Sequence, residues 1–295
     1  MACGDTRLYL DTMLWNALYD VRADPTFLLS ELGKRGLQLV IGTHLVYELA
    51  KIFQSKKPGS QERGKALFKY LGHLTTNRVP CLRQNADLLR QEAKAAAGEG
   101  MGLDLFYGQQ EYYQLSGEVD KLSRGVFDDR ADSFISRKKT QVREIRQRTA
   151  AQRQADATTR DKWANLSFQQ FLGKGETKWA RDILKTELRR QFPNNQERHL
   201  TWVAKRLLAS PRYRLSHALV RAHLYQNWRS WQGGALPRDI LDDCLHVVNA
   251  SYCDIYATKE SGQEKYAPEV LTNTTVAVWT GSTPLADWLC SLNTA

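Results

Sequence analysis

Paired cysteines and long apolar runs are both missing from this sequence. The 295 residues include five scattered cysteines, which are Cys3, Cys81, Cys244, Cys253 and Cys290, and no two of them form a Cys-x-x-Cys pair. This pattern argues against a disulfide framework and against a structural zinc site. No stretch approaches the roughly 20 apolar residues of a membrane span, and residues 1–10 lack the apolar core of a secretion signal. We therefore expect a reduced, cytoplasmic protein with no membrane partner.

Positive charge is present in excess and is concentrated in one part of the chain. The formal net charge is +10, with an isoelectric point near 9.4. Residues 137–231 contain 22 Lys and Arg against 7 Asp and Glu, whereas the rest of the chain contains 20 basic and 25 acidic residues. A basic segment flanked by mildly acidic ones indicates a nucleic-acid partner for the segment and a different role for the flanks.

Both ends of the sequence alternate between short apolar runs and helical patterns. Strands are predicted over 7–11, 37–41 and 78–82, with helices after the first two and over 61–75. A helix over 239–250 and strands over 252–257 and 274–279 follow near the C-terminus. The strand–helix order predicts a parallel sheet with crossover helices.

The middle of the chain carries few strand signals. Helices are predicted over 85–97, 109–123, 133–155, 162–171, 176–191, 195–209 and 214–231, with Gly173 and Gly175 marking one of the boundaries. The chain is therefore divided into an α/β domain made of 1–84 and 237–295 and an all-helical basic insertion over 85–236.

Two acids of the N-terminal part lie beside the predicted strands. Asp11 ends the first strand, and ligands of open parallel sheets bind outside the carboxyl ends of the strands. The alternative is that Asp11 only caps the following helix. Glu48 lies beside the apolar face that Leu45 and Leu49 form on the helix after the second strand. An acid in that position has a partner or a metal, or it is a solvated glutamate at the rim.

Further acids follow near the C-terminus. Asp242 and Asp243 lie near the start of a helix, where negative charge is favourable in any case. Asp254 lies within an apolar strand, and Glu260 lies in the loop that follows. Carboxylates that converge on one sheet edge repel one another unless a cation is bound. Oxygen ligands suit Mg²⁺ or Mn²⁺ better than zinc, so the sequence predicts a site for one of these two ions.

Four short motifs succeed one another in this strand–helix context. They are residues 8–12 (Leu-Tyr-Leu-Asp-Thr), 40–43 (Val-Ile-Gly-Thr) with Glu48, 243–246 (Asp-Cys-Leu-His) and 252–260 (Tyr-Cys-Asp-Ile-Tyr-Ala-Thr-Lys-Glu). In this order they resemble the PIN-domain family of metal-dependent nucleases. The resemblance covers roughly 7–55 and 237–280 and excludes the insertion.

The resemblance implies a PIN-like (Rossmann-like) three-layer α/β fold with a central parallel sheet, interrupted here by the helical insertion. It implies a nuclease directed at single strands, usually of RNA. The catalytic residues would be Asp11, Glu48, Asp243 and Glu260, with Asp11 and Asp243 as the principal metal ligands. Glu48 would complete the ligand set or orient the attacking water.

Two ligand positions stay open at this point. The family commonly has Asp where Glu260 stands, so either Glu260 or Asp254 would hold a second, weaker metal, and Asp242 could replace Asp243. Thr12, Asn16 and Thr258 are expected to hydrogen-bond the ligands. His246, further along the third motif, is expected to pack in the core.

The insertion offers candidate phosphate contacts. Lys139, Arg143 and Arg146 share one face of a predicted helix, as a phosphate-binding ridge or as an ordinary solvated face. Arg214 and Arg221 lie among aromatic residues that could stack on unpaired bases or could belong to the core. The insertion could instead bind a protein, such as an inhibitor or an activating subunit, and a homo-oligomer is also compatible with the sequence.

The sequence leaves three functions open. The first is a metal-dependent endoribonuclease, as in a toxin or a defence effector. The second is a catalytically inactive PIN-like protein that binds nucleic acid or acts as a scaffold. A DNA-directed nuclease with the same site is a third option, with RNA favoured over DNA as the partner.

Overall fold

The computed structural model describes residues 6–76, 79–99, 102–128, 165–232, 240–259 and 261–292, and the single residues 132, 136, 140, 143 and 147. For residues 174–177, 230, 240–243 and 261 it describes the backbone alone. Among the described helices, none combines the length and the apolar composition that crossing a membrane requires.

A five-stranded parallel sheet forms the centre of the fold. Its strands are β1 (Thr6–Leu10), β2 (Leu37–Gly42), β3 (Cys81–Leu82), β4 (Ile255–Thr258) and β5 (Thr275–Val278). They lie in the order β3-β2-β1-β4-β5, and every neighbouring pair is parallel. The predicted central parallel sheet is therefore confirmed, with β1 at its middle.

Helices cover both faces of the sheet. They are α1 (Thr12–Asp20), α2 (Pro25–Lys34), α3 (Thr43–Ala50), α4 (Ser60–Thr76), α5 (Asn85–Ala97), α6 (Gln109–Ser123), α7 (Phe168–Gln191), α8 (Glu197–Leu208), α9 (Arg214–Trp231), α10 (Ile240–Asn249), α11 (Ser261–Val270) and α12 (Leu285–Ser291). Short 3₁₀ helices follow α3 at Lys51–Gln54 and α10 at Ala250–Tyr252.

The alternation of side chains along β1 separates two cores. Leu8 and Leu10 point to one face and pack with α1 to α4. Tyr9 points to the other face and packs with α5 and α7 to α9, as expected for a strand with a period of two. Helices α5 and α7 to α9 of the predicted insertion therefore share a core with the sheet on this face, whereas α6, which belongs to the same segment, packs against α4 on the other face.

A buried carboxylate ties this helical layer together. Glu92 of α5 is fully buried and accepts hydrogen bonds from the backbone N–H groups of Leu215 and Ser216, each at 2.9 Å. The hydroxyls of Ser216 and Tyr252 also donate to it. Burial raises the pKa of Glu92, and the hydrogen bonds offset part of that rise. The carboxylate thus satisfies the free N–H groups at the start of α9 and joins that helix to the turn before β4.

Some predicted boundaries were wrong. The helices predicted over 162–171 and 176–191 are, where described, one helix, α7, and Gly173 does not end it. The core side chains continue along one face through Leu172 and Ala180, so tertiary packing outweighs the poor helix propensity of glycine. The strand predicted over 252–257 begins only at Ile255. The helix predicted over 133–155 lies almost wholly outside the described residues.

Candidate functional site

The order of the strands creates a crevice at the carboxyl edge of the sheet. From β1 the chain first adds β2 and β3 on one side and later β4 and β5 on the other. At such a reversal the crossover helices leave in opposite directions, and ligands of open α/β sheets bind there. Asp11 follows β1 and Thr258 ends β4, and the N–H of Asp11 donates to the carbonyl of Ala257 at 3.0 Å. Both side chains therefore lie at this crevice.

Asp11 is both a helix cap and a buried acid. Its Oδ1 accepts from the backbone N–H of Leu14 at 2.7 Å, and its Oδ2 accepts from the hydroxyl of Thr258. The residue is only 4% exposed. Burial raises the pKa of Asp11, although the hydrogen bonds from Thr258 and Leu14 and the charge of His246 act in the opposite direction. The capping role and the position at the sheet edge thus belong to the same side chain.

Glu48 makes a close pair with a histidine from another helix. Its Oε2 lies 2.9 Å from Nε2 of His246 on α10, and its Oε1 accepts from Nζ of Lys51 at 3.2 Å. Burial by itself raises the pKa of Glu48, but the hydrogen bond and charge of His246, with the charges of His44 and Lys51, outweigh it. The pKa of Glu48 is therefore held well below its ordinary value, and the side chain is a carboxylate at neutral pH.

Both ring nitrogens of His246 are held by polar groups. Besides Glu48, Nε2 lies 2.8 Å from the hydroxyl of Thr12, and Nδ1 lies 3.0 Å from the hydroxyl of Tyr9. The Tyr9 hydroxyl can donate to Nδ1 or accept from it, so it fits the ring whether Nε2 carries a proton or a metal. The expectation that His246 packs in the core was right about its burial and missed these contacts.

His44 completes a cluster that could hold a metal ion. One ligand atom each of His44, Glu48 and His246 lies within 4.8 Å of the other two. His44 and Glu48 stand four residues apart on α3, so they lie one above the other on the same helix face. The rings of His44 and His246 meet edge to face, with centroids 4.4 Å apart. The sequence reading did not include His44, although its one-turn spacing from Glu48 was a usable signal.

The chemistry of this cluster differs from the predicted one. Two imidazole nitrogens and a carboxylate suit Mn²⁺, Fe²⁺ or Zn²⁺, whereas Mg²⁺ prefers oxygen ligands. The expected all-oxygen ligand set is therefore not what the described residues bring together.

Asp254 lies at the wrong edge of the sheet to join the cluster. It precedes β4, where its Oδ2 accepts from the backbone N–H of Arg7 at 2.9 Å. Arg7 stands four residues before Asp11, which at the rise of a strand is roughly 13 Å away. Asp254 also lies 3.9 Å from the guanidinium of Arg214. Asp254 was expected, as the alternative to Glu260, to hold a second metal beside Asp11, and its place at the amino edge of the sheet does not bring it there.

Of the residues expected to hydrogen-bond the ligands, Thr12 and Thr258 lie at the site and Asn16 does not. The structure brings Thr12 to His246 and Thr258 to Asp11. Asn16 is turned elsewhere, since its amide donates to the carbonyl of Thr12 at 2.9 Å and its Oδ1 accepts from Arg63 at 3.2 Å. The side chains of Asp242 and Asp243 and the whole of Glu260 lie outside the described residues.

Most of the basic residues predicted to contact phosphate either contact other protein groups or lie outside the described residues. Arg214 faces Asp254, and Nε of Arg221 donates to the carbonyl of Glu269 at 2.7 Å. The aromatic residues near them, Tyr213, Tyr225 and Trp231, are buried in the core, so the core alternative holds for these three. Arg143 is exposed, whereas Lys139 and Arg146 lie outside the described residues.

Two hollows lie near the sheet. A groove of about 1230 Å³ runs between α4 and α6, with Lys69, Tyr112 and Tyr113 among its lining, and it includes none of the cluster residues. A cavity of about 70 Å³ adjoins the cluster and is lined by His44, Thr43 and the start of α5. The smaller cavity, and not the larger groove, therefore adjoins the possible metal ligands.

Comparisons of the chain with family models, with curated proteins and with solved structures gave no match.

Proposed function

We propose that this protein is a metal-dependent nuclease that hydrolyses phosphodiester bonds, with single-stranded RNA as the favoured substrate. One observation carries the proposal. The buried acid Asp11 and the cluster of His44, Glu48 and His246 stand together at the strand-order reversal of a parallel sheet. The net charge of +10 supports a polyanionic substrate.

His44, Glu48 and His246 would hold the metal. Of the two ions expected from the sequence, Mn²⁺ suits a site with two imidazoles better than Mg²⁺ does. Such a site could also bind Zn²⁺. When bound, such an ion lowers the pKa of a water molecule and stabilises negative charge on the phosphate. Asp243 and Glu260 remain proposed ligands on the family resemblance alone.

The protein groups around the cluster have separate tasks. Thr12 and Tyr9 fix the orientation of the His246 ring, as the neighbours of a ligating histidine commonly do. Asp11 places a carboxyl group in the same crevice, and Thr258 and Leu14 fix its direction. Lys51 supplies positive charge beside Glu48, at the rim where a phosphate would approach.

The test is cleavage of labelled single-stranded RNA and DNA with Mn²⁺, Mg²⁺, Zn²⁺ or EDTA. Wild type is compared with Asp11→Asn, which keeps the helix cap because Asn caps as well as Asp does, and with Glu48→Gln. The matched control is Asp24→Asn, since Asp24 caps α2 through the N–H groups of Thr26 and Phe27, away from the sheet crevice.

We expect metal-dependent cleavage that survives in Asp24→Asn and falls by at least about 100-fold in Asp11→Asn and Glu48→Gln. Equal cleavage by all four proteins would remove these residues from the mechanism. Binding of nucleic acid without cleavage under any metal would overturn the nuclease and favour the binding or scaffold protein.

A further inference from the structure

Helix α8 carries a tryptophan on its outer face. Four residues of this helix, Leu200, Val203, Ala204 and Leu207, are buried against the helical layer. Trp202 points the other way and is 40% exposed. A large aromatic ring on a solvent face loses the free energy of burial that the core aromatics gain. Packing within the described core therefore does not account for Trp202.

The exposed ring is surrounded by positive charge. The guanidinium of Arg206 lies over the indole, 4.9 Å from its centroid. Arg198 and Lys205 are exposed and stand four residues before and three residues after Trp202, so they share its helix face. The ring of His199 lies beside the indole, with centroids 5.7 Å apart.

The acids nearby are engaged by other cations. Residues 178–232 contain twelve Lys and Arg against three Asp and Glu. Glu197 pairs with Lys185 at 2.8 Å and with Arg189, Asp182 lies 3.6 Å from Lys185, and Glu187 pairs with Arg190. Within the part of the chain that the structure describes, no acid pairs with the cations around Trp202, so an acidic partner fits this face.

We propose that Trp202, with Arg198, Lys205 and Arg206, is a binding surface for single-stranded nucleic acid. An aromatic ring flanked by cations matches the two parts of a nucleotide, because an unpaired base stacks on the ring and the phosphates contact the cations. A protein partner would need a wider apolar patch than one indole provides. The proposal rests on the proposed function only in taking nucleic acid as the substrate.

Binding is measured by fluorescence anisotropy of short labelled single-stranded RNA and DNA, on the full chain in EDTA so that no metal-dependent cleavage occurs. We expect Trp202→Ala to weaken binding by about 5- to 100-fold, the range found for removal of one stacking aromatic. Trp202→Phe keeps a ring and should recover most of the affinity. Arg206→Gln should reduce the dependence of log Kd on log salt by about 0.7.

The matched control is Tyr113→Ala. Tyr113 is 63% exposed on α6, a helix that carries Glu111, Glu118 and Asp120. Its removal should leave the Kd unchanged. Wild-type affinity in Trp202→Ala, or an equal loss in Tyr113→Ala, would overturn the proposal, as would Trp202-dependent binding to anionic lipid vesicles without binding to oligonucleotides.

The two proposals fail in distinguishable ways. Trp202-dependent binding in a protein that never cleaves would leave the binding surface standing and remove the nuclease. Cleavage that depends on Asp11, together with binding that ignores Trp202, would do the reverse.

Discussion

Replacement of Gly42 by alanine tests the packing beneath the candidate site. Gly42 ends β2 and precedes α3, and its φ of −122° suits any residue. A Cβ atom at this position would lie 1.9 Å from Oδ1 of Asn249 and 2.9 Å from the hydroxyl oxygen of Tyr9. The penalty is therefore steric, because two buried side chains must move.

Neither side chain can move without losing contacts. Nδ2 of Asn249 donates to Oδ1 of Asn85 at 3.0 Å and to the carbonyl of Arg83 at 3.3 Å. Overpacking a core costs about 1–3 kcal/mol and each lost hydrogen bond about 1 kcal/mol. We expect Gly42→Ala to lower the free energy of unfolding by about 2–4 kcal/mol. Displacement of Tyr9 from His246 should also weaken Mn²⁺ binding by about 10- to 100-fold.

Urea unfolding and Mn²⁺ titration measure these two effects. The matched control is Gly33→Ala, since Gly33 lies in the last turn of α2 and no atom lies within 4 Å of its added Cβ. That variant should be unchanged or more stable by up to about 1 kcal/mol. A Gly42→Ala protein that unfolds at the wild-type urea concentration and binds Mn²⁺ normally would refute the close packing of Tyr9 and Asn249 over Gly42.

Three further variants test single contacts. Tyr9→Phe should weaken Mn²⁺ binding by about 10- to 100-fold because His246 loses the group that orients it. The control is Tyr70→Phe, which should bind Mn²⁺ as wild type does, since the Tyr70 hydroxyl has no partner among the described residues. Equal Mn²⁺ affinities of the two variants would contradict the role of Tyr9. Glu92→Gln should lower the free energy of urea unfolding by about 1–3 kcal/mol, because an amide cannot accept from all the donors aimed at the carboxylate. The control is Glu99→Gln at an exposed position, which should unfold as wild type does. Identical urea unfolding curves for the two variants would contradict the role of Glu92. The pKa of Glu48 is lowered in the folded state, so its contribution to stability is present above the ordinary Glu pKa of about 4.3 and is lost as pH falls through the folded-state value. Below about pH 5, the free energy of urea unfolding should therefore fall more steeply with pH in wild type than in Glu48→Gln. Parallel pH dependences of the two proteins would show that Glu48 makes no such contribution.

The sheet could be predicted from local patterns. Buried parallel strands are short apolar runs between helical segments, and each run is visible without its partner. Asp11 could be placed for the same reason, because the run it ends is β1. The apolar face of a helix can also be predicted from residue spacing. Leu45 and Leu49 define such a face, so Glu48 could be predicted to lie at the border of the core.

Other parts of the site depend on distant contacts or on single-residue boundaries. His246 meets Glu48 across 198 residues, and no local pattern records that pairing. Asp254 was assigned to the interior of a strand predicted to begin at residue 252, but β4 begins at Ile255, so Asp254 precedes the strand at the amino edge of the sheet. The aromatic residues of α9 share the spacing of a core face and of a stacking surface, and only burial separates the two.

The pairing of β1 with β4 determines when the site can form during synthesis. Asp11 accepts a hydrogen bond from the hydroxyl of Thr258, which lies 247 residues later in the chain. At a synthesis rate of about 5–20 residues per second, roughly 12–50 s pass between the emergence of the two residues from the ribosome. Until then β2 and β3 can pair beside β1, but the other edge of β1 stays open, with unpaired backbone groups on an apolar strand. A nascent chain in this condition exposes a surface that favours aggregation and chaperone binding. A chain that stops within the helical segment carries Asp11, His44 and Glu48 but lacks His246 and β4, so translation must pass the last crossover before the crevice exists.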